Sequence, residues 1–409
     1  MNKQYLGVVA LSAAMMLSAC GGGGNSGVSA GTSTTGTTVT LAAPSSQTLA
    51  GGQPLTITAT VSDSSAVTWA LGANQPGTLS ATTGASITYT PPATVSANTP
   101  VTITATANSV VRSIGLTVFA DPGAPGMTLV SGALDSPTYD APVDGPAASA
   151  RFRQSRAVAG DINGNLLVAG TCMTSPGQYA GFTLRKISNT GTVSTLASCE
   201  TNTWFGAADT SANLTLLSQP YGLATDYAGN VYTGSYNGDI AAGATSPSAR
   251  AVFRITQYGL LTVTTGATGS HTASVTDGTA VNARYLTPTV AGFDTSDYSL
   301  YILDQDGSKV RKLDPSGNVT TVAAVPAAVI ADLNGNTYRI DSSQTQIIRT
   351  TPAGVDSVVA DIHTLPGASA AASPRAYSLS RTGPASYTFL VSNGSASSNE
   401  AVVKLVVAH

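Results

Sequence analysis

The sequence predicts an all-β protein in two parts, a two-sheet sandwich followed by a ring of small repeated sheets. Three observations carry this. Charged residues make up only 10% of the 409, too few for long helices supported by i,i+4 ion pairs. Between Val39 and Phe119 apolar residues recur with period two. From residue 127 to the end of the sequence, one phrase of apolar runs and tight turns returns again and again.

The chain opens with Lys3, an apolar run over residues 6–17, and Leu17-Ser18-Ala19-Cys20. The run is too short for a stable membrane span. A small residue before the cut and a cysteine after it resemble the lipobox of bacterial lipoproteins. The resemblance implies a signal peptide over residues 1–19, cleavage after Ala19 and a lipid on the Cys20 thiol. Gly21 stands where an Asp would resemble an inner-membrane retention signal, which favours the outer membrane. Residues 20–37 are rich in Gly, Ser and Thr and read as a flexible tether. Their Gly27-Val28-Ser29-Ala30-Gly31 matches a nucleophile-elbow pattern but lacks the strand and helix that such an elbow needs.

Residues 38–120 alternate cleanly. Leu55, Ile57, Ala59 and Val61 form one apolar row, and Val67, Trp69 and Leu71 another. Ile87 and Tyr89, then Val101, Ile103, Ala105 and Ala107, then Ile114, Leu116 and Val118 continue the pattern. Such alternation marks strands with one buried and one wet face. Gly51-Gly52, Gly77, Gly84 and Pro91-Pro92 separate them. About seven short strands of this kind read as a β-sandwich. Gly52-Gln53-Pro54-Leu55-Thr56-Ile57, Val67-Thr68-Trp69 and Tyr89-Thr90-Pro91-Pro92-Ala93 resemble bacterial immunoglobulin-like domains. The resemblance places Trp69 in the core and implies a spacer or adhesive module.

Residues 121–126 carry two prolines and two glycines and read as a stiff hinge. The repeats occupy residues 127–409. The first copy contains Ala150-Arg151-Phe152, Val158-Ala159-Gly160-Asp161, Gly164-Asn165-Leu166-Leu167-Val168, Leu184-Arg185-Lys186-Ile187 and Gly191-Thr192-Val193. The third answers with Ala283-Arg284-Tyr285, Leu300-Tyr301-Ile302, Val310-Arg311-Lys312-Leu313 and Gly317-Asn318-Val319. Copies two, four and five keep parts of the phrase, including Asp226 with Gly229-Asn230 and Ile330-Ala331-Asp332 with Gly335-Asn336. A lone sheet with two apolar faces cannot bury them, whereas radial packing of copies can. The phrase resembles NHL repeats, which implies a β-propeller. Five blades are expected, with six as the alternative. Copy five ends after its third strand, and Met127-Thr128-Leu129-Val130 has the pattern of the missing fourth. Closing the ring this way would remove exposed sheet edges.

Several residues invite a functional reading. Asp161, Asp226 and Asp332 each end a strand before a Gly-Asn turn, where a carboxylate accepts turn N–H groups. The alternative is a channel ring binding a cation such as calcium, although the spacing departs from an EF-hand loop. No metal or other cofactor is expected on the first reading. The pairs Arg185-Lys186 and Arg311-Lys312 are expected on solvated faces, and Arg151 and Arg284 in the locking of blades. Besides the anchor, Cys172 and Cys199 remain in an exported chain; either one bridge joins them or both stay thiols. The three histidines, His271, His363 and His409, are scattered, and no nucleophile–base set can be assembled. The loop from Tyr236 to Ser248 is expected to offer contact surface.

A net charge of −3 with no basic cluster excludes a nucleic-acid partner. The sequence therefore points to a lipid-anchored envelope protein that binds a protein or glycan and is not an enzyme. The alternative is a metal-assisted propeller lyase or hydrolase. The anchor has a direct check: in a detergent phase split the protein should follow the detergent, and Cys20→Ser should move it to the aqueous phase.

Overall fold

The computed structural model describes residues 37–42, 48–134, 142–175, 178–208, 213–217, 219–236, 249–268, 274–304, 308–368, 374–392 and 400–408, with residues 37–409 forming one compact unit. The signal peptide, Cys20, the tether with its Gly-x-Ser-x-Gly run, His271, His409 and most of the 236–248 loop lie outside the described residues. The fold is all-β.

Two four-stranded sheets build the first part. One orders Val39–Leu41, Leu55–Val61, Ser86–Thr90 and Thr78–Leu79; the other orders Thr48–Leu49, Val110–Val118, Thr99–Ala107 and Thr68–Leu71. The alternating residues face one another as a single core that includes Leu55, Ile57, Trp69, Tyr89, Ile103 and Leu116. Trp69 is buried, and its indole N–H donates to the Gly84 carbonyl at 2.7 Å. Tyr89 is fully buried and donates its hydroxyl to the Pro76 carbonyl at 2.9 Å. Both aromatic side chains thus bury apolar area while satisfying their polar ends.

Five sheets follow. Blade one comprises Ser155–Gly160, Leu166–Ser175, Gln178–Ile187 and Thr192–Ser198, extended outward by Thr203–Trp204 and Ala207–Ala208. Blade two comprises Pro220–Thr225, Val231–Tyr236, Ala249–Ile255 and Leu261–Thr268. Blade three comprises Thr289–Asp294, Ser299–Asp304, Lys309–Leu313 and Asn318–Val322. Apolar clusters join neighbours: Leu167 and Phe182 meet Leu223 and Phe253, while Val252 meets Tyr285 and Ile302. Gly222, at φ +66°, lies so close to blade three that a Cβ would fall 2.0 Å from the Val290 carbonyl oxygen. Only glycine allows both the backbone angle and the approach.

Blade four departs from the four-strand expectation. Among the described residues it has three strands, Thr337–Ile340, Gln346–Thr350 and Asp356–Asp361. The inner position is taken by the helical turn Ala327–Ile330 rather than a strand. Pro326 explains this, because it has no N–H for a ladder and its φ of −61° suits a helix start. The turn packs inward, with Val329 against Gly292 of blade three.

Blade five pairs Arg375–Gly383, Ser386–Ser392, Glu400–Val406 and Gly126–Gly132. The last strand comes from before the ring, as expected from the truncated fifth copy, and its register sets Leu405 against Met127 and Val403 against Leu129. Gly126 therefore begins the closing strand rather than ending a hinge. A seam of Phe152, Val158, Val168, Leu390 and Val402 seals blade five to blade one.

The arginine pairs behave unlike the solvated faces expected of them. Arg311 is fully buried; it donates to Asp277 at 2.8 Å, Asp304 at 3.4 Å and the Thr276 and Arg284 carbonyls, and lies 5.0 Å from the Tyr285 ring. Arg185 repeats the device with Asp144 at 2.7 Å, the Val143 and Arg151 carbonyls and the Phe152 ring. Burial alone would raise the Asp144 carboxyl, but Arg185 and the Thr195 N–H and hydroxyl outweigh it and hold it low. The neighbouring Lys186 and Lys312 stay partly exposed, Lys312 paired with Asp297 at 2.7 Å. The small–Arg–aromatic phrase is thus the lid over a buried guanidinium, and Asp144 and Asp277 are its counter-ions.

Glu400 sits buried on the seam, accepting the Ser155 N–H at 2.9 Å. Burial raises its carboxyl above the usual range. A raised folded-state value means that stability is fullest at acid pH and falls as pH rises through that value. Glu400→Gln, which keeps an acceptor and removes the charge, should match the parent near pH 4 and equal or exceed it at pH 7. Melting curves at the two pH values check this; a variant that loses stability only at pH 7 would contradict it.

Candidate functional site

The turn after each inner strand faces one end of the ring. Asp161 accepts the N–H groups of Asn163 and Asn165 at 2.9 and 2.8 Å and the Asn165 amide at 2.7 Å. Asp226 does the same with Ala228 and Asn230, and takes the Tyr232 hydroxyl at 3.0 Å. Asp332 does so with Asn334 and Asn336, and takes the Tyr338 hydroxyl at 2.7 Å. The Asx-turn reading therefore describes all three. Blade three adds Asp294, which accepts the N–H and hydroxyl of Ser296. Among the described residues no three His, Cys, Asp or Glu side chains gather in a metal-binding group. His363 stands in a short 3₁₀ turn with its ring 2.8 Å from Asp361.

The sandwich is seated against this same end. Asn98 donates its amide to the Ile162 carbonyl at 2.8 Å and accepts the Ala120 N–H at 2.9 Å, binding the first turn of the ring to the start of the connecting segment. Lys404 donates to the Pro122 carbonyl at 3.2 Å. Phe119 lies against Gly383. Burial lowers the Lys404 ammonium, partly offset by Asp121.

Two hollows result. A cavity of about 180 Å³ sits at the axis, lined by the inner-strand ends of the blades, by Tyr227, Tyr338, Tyr387 and Arg381, and by Thr48 and Phe119 of the sandwich. A crevice of about 610 Å³ runs between the sandwich and blades one and five. Its walls mix apolar side chains, Ala93, Val130, Leu166 and Ile187 among them, with hydroxyls and amides, Thr94 and Ser96 on one side and Asn163, Asn189 and Thr190 on the other. Lys404 and Asp121 are its charged members, and Phe119 its aromatic one. Phe119, Gly160, Thr382 and Pro384 line both hollows, so the two are adjacent.

Of the residues singled out from the sequence, Asp161 and Asp226 line the axial cavity, and Asp332 is buried beside Tyr338. Cys172 and Cys199 are bonded, with Cα atoms 6.0 Å apart, at the end of blade one away from the Asp161 turn. Arg381, Tyr227, Phe119 and the crevice walls carried no sequence signal. They come from distant segments of the chain.

No family model and no curated protein matches the chain. Among solved structures it is similar to an auxiliary nutrient binding protein from Bacteroides ovatus, at 10% identity and TM-score 0.39 over 90% of this chain and 98% of that one. A putative phosphatase from Bacteroides thetaiotaomicron is similar at 10% identity and TM-score 0.42, over 91% and 97%. Virginiamycin B lyase from Staphylococcus aureus is similar at 11% identity and TM-score 0.29, over 83% and 99%. Likeness at this level leaves ligand and activity to be read from the site itself.

Proposed function

We propose that the chain is a lipid-anchored protein of the bacterial envelope, outer membrane favoured, whose immunoglobulin-like sandwich and NHL-like propeller together hold a glycan in the crevice between them. The observation that carries this is the chemistry of the crevice walls. Exposed Thr94, Ser96, Asn163, Asn189 and Thr190 offer both donors and acceptors, as a polyhydroxylated ligand requires, and Phe119 offers an apolar face. Clefts between domains are common ligand sites, and about 610 Å³ lies within their usual range. The tether keeps this site clear of the lipid surface.

Calorimetric titration with neutral oligosaccharides tests the proposal. Asn163 is exposed at a turn, so Asn163→Trp should fill the crevice without unfolding the ring. Binding should weaken about tenfold or more while the melting temperature holds. Undiminished binding in this variant would place the ligand elsewhere.

A further inference from the structure

Among the described residues the ring supplies a carboxylate to both buried arginines, Asp144 to Arg185 and Asp277 with Asp304 to Arg311. Arg381 is treated differently. It is half-buried and, among the described residues, is the only cation that lines the axial cavity. Desolvation lowers its guanidinium, partly offset by Tyr387 and Asp332. Its Nη1 donates to the Ala328 carbonyl at 3.2 Å, and its Nε, like that of Arg311, has no acceptor. Among the described residues no carboxylate oxygen lies within 4.0 Å of it. The nearby aspartates are committed to their own turns, with Asp332 spending both oxygens on Asn334, Asn336 and Tyr338. Another wall of the cavity holds Tyr227, with its hydroxyl beside Thr295.

A half-buried guanidinium with no carboxylate in contact can take one from a ligand, and its planar fork matches that group. We infer that the axial cavity receives the carboxylate of the ligand on Arg381, so that the glycan held in the crevice is an acidic one, a uronic acid unit entering the channel end. The cavity has room for about six waters, the size of a carboxylate with the few atoms that carry it. The crevice adjoins it at Phe119 and Thr382, so a sugar held there lies next to Arg381's cavity. Tyr227 stands ready to bond an adjoining ring hydroxyl.

The inference rests on the crevice reading, and the test separates the two. Titrate the full chain with digalacturonate and with its carboxyl-reduced, neutral counterpart. The acid should bind at least about tenfold more tightly. Arg381→Gln should erase that preference, and an unchanged melting temperature shows that the variant is folded. Tyr227→Phe, a milder change, should weaken the acid severalfold. Equal binding of the two sugars by the parent chain, or a preference that survives Arg381→Gln, overturns the carboxylate site and leaves the crevice reading standing. Failure of both sugars to bind overturns the two together.

Discussion

The pairing of Gly126–Gly132 with Glu400–Val406 is the constraint on which the rest of the molecule depends. A ring of sheets has no edge only once its last blade is completed, and here the completing strand comes from ahead of the first blade. The same strand fixes the sandwich. Between Val118, the last strand residue of the sandwich, and Gly126 lie only residues 119–125, which span at most about 25 Å even when extended. Much of that reach is already committed: Phe119 N–H is held by the Leu49 carbonyl, Ala120 N–H by Asn98 and Asp121 N–H by the Val95 carbonyl. Closing the ring therefore places the sandwich at the channel end, and the crevice and the axial cavity follow from that placement.

The buried arginines show how the blades hold shape without large cores. A guanidinium taken out of water is tolerated only when its donors are met. In blades one and three the lid segment supplies an aspartate, two carbonyls and an aromatic face. Blade five has no such lid, and its Arg381 turns to the axis instead.

Much of the fold was legible because it rests on short-range patterns. Period-two rows gave the sandwich core, and the Asp and Gly-Asn turns gave the blade rhythm. Even the closing strand could be found, since copy five lacked a strand that Met127-Thr128-Leu129-Val130 could supply. The burial of Arg311 could not be read, because period two assigns Arg311 and Lys312 to opposite faces without saying which face is covered. The clue was Asp144-Gly145 and Asp277-Gly278, recurring at one spacing before the small–Arg–aromatic phrase. The helical turn of blade four was signalled by Pro326, yet the Ile330-Ala331-Asp332 match to the repeat concealed it. The candidate site was invisible for another reason: Thr94, Phe119, Asn163 and Arg381 meet only through tertiary packing.

Removing the closing strand tests the account most directly. A chain lacking residues 127–131 should show the propeller melting as a unit, with its midpoint lowered by about 10 °C or more, because every blade leans on a ring that no longer closes. A propeller transition unchanged in midpoint and sharpness would contradict the central place given to that strand.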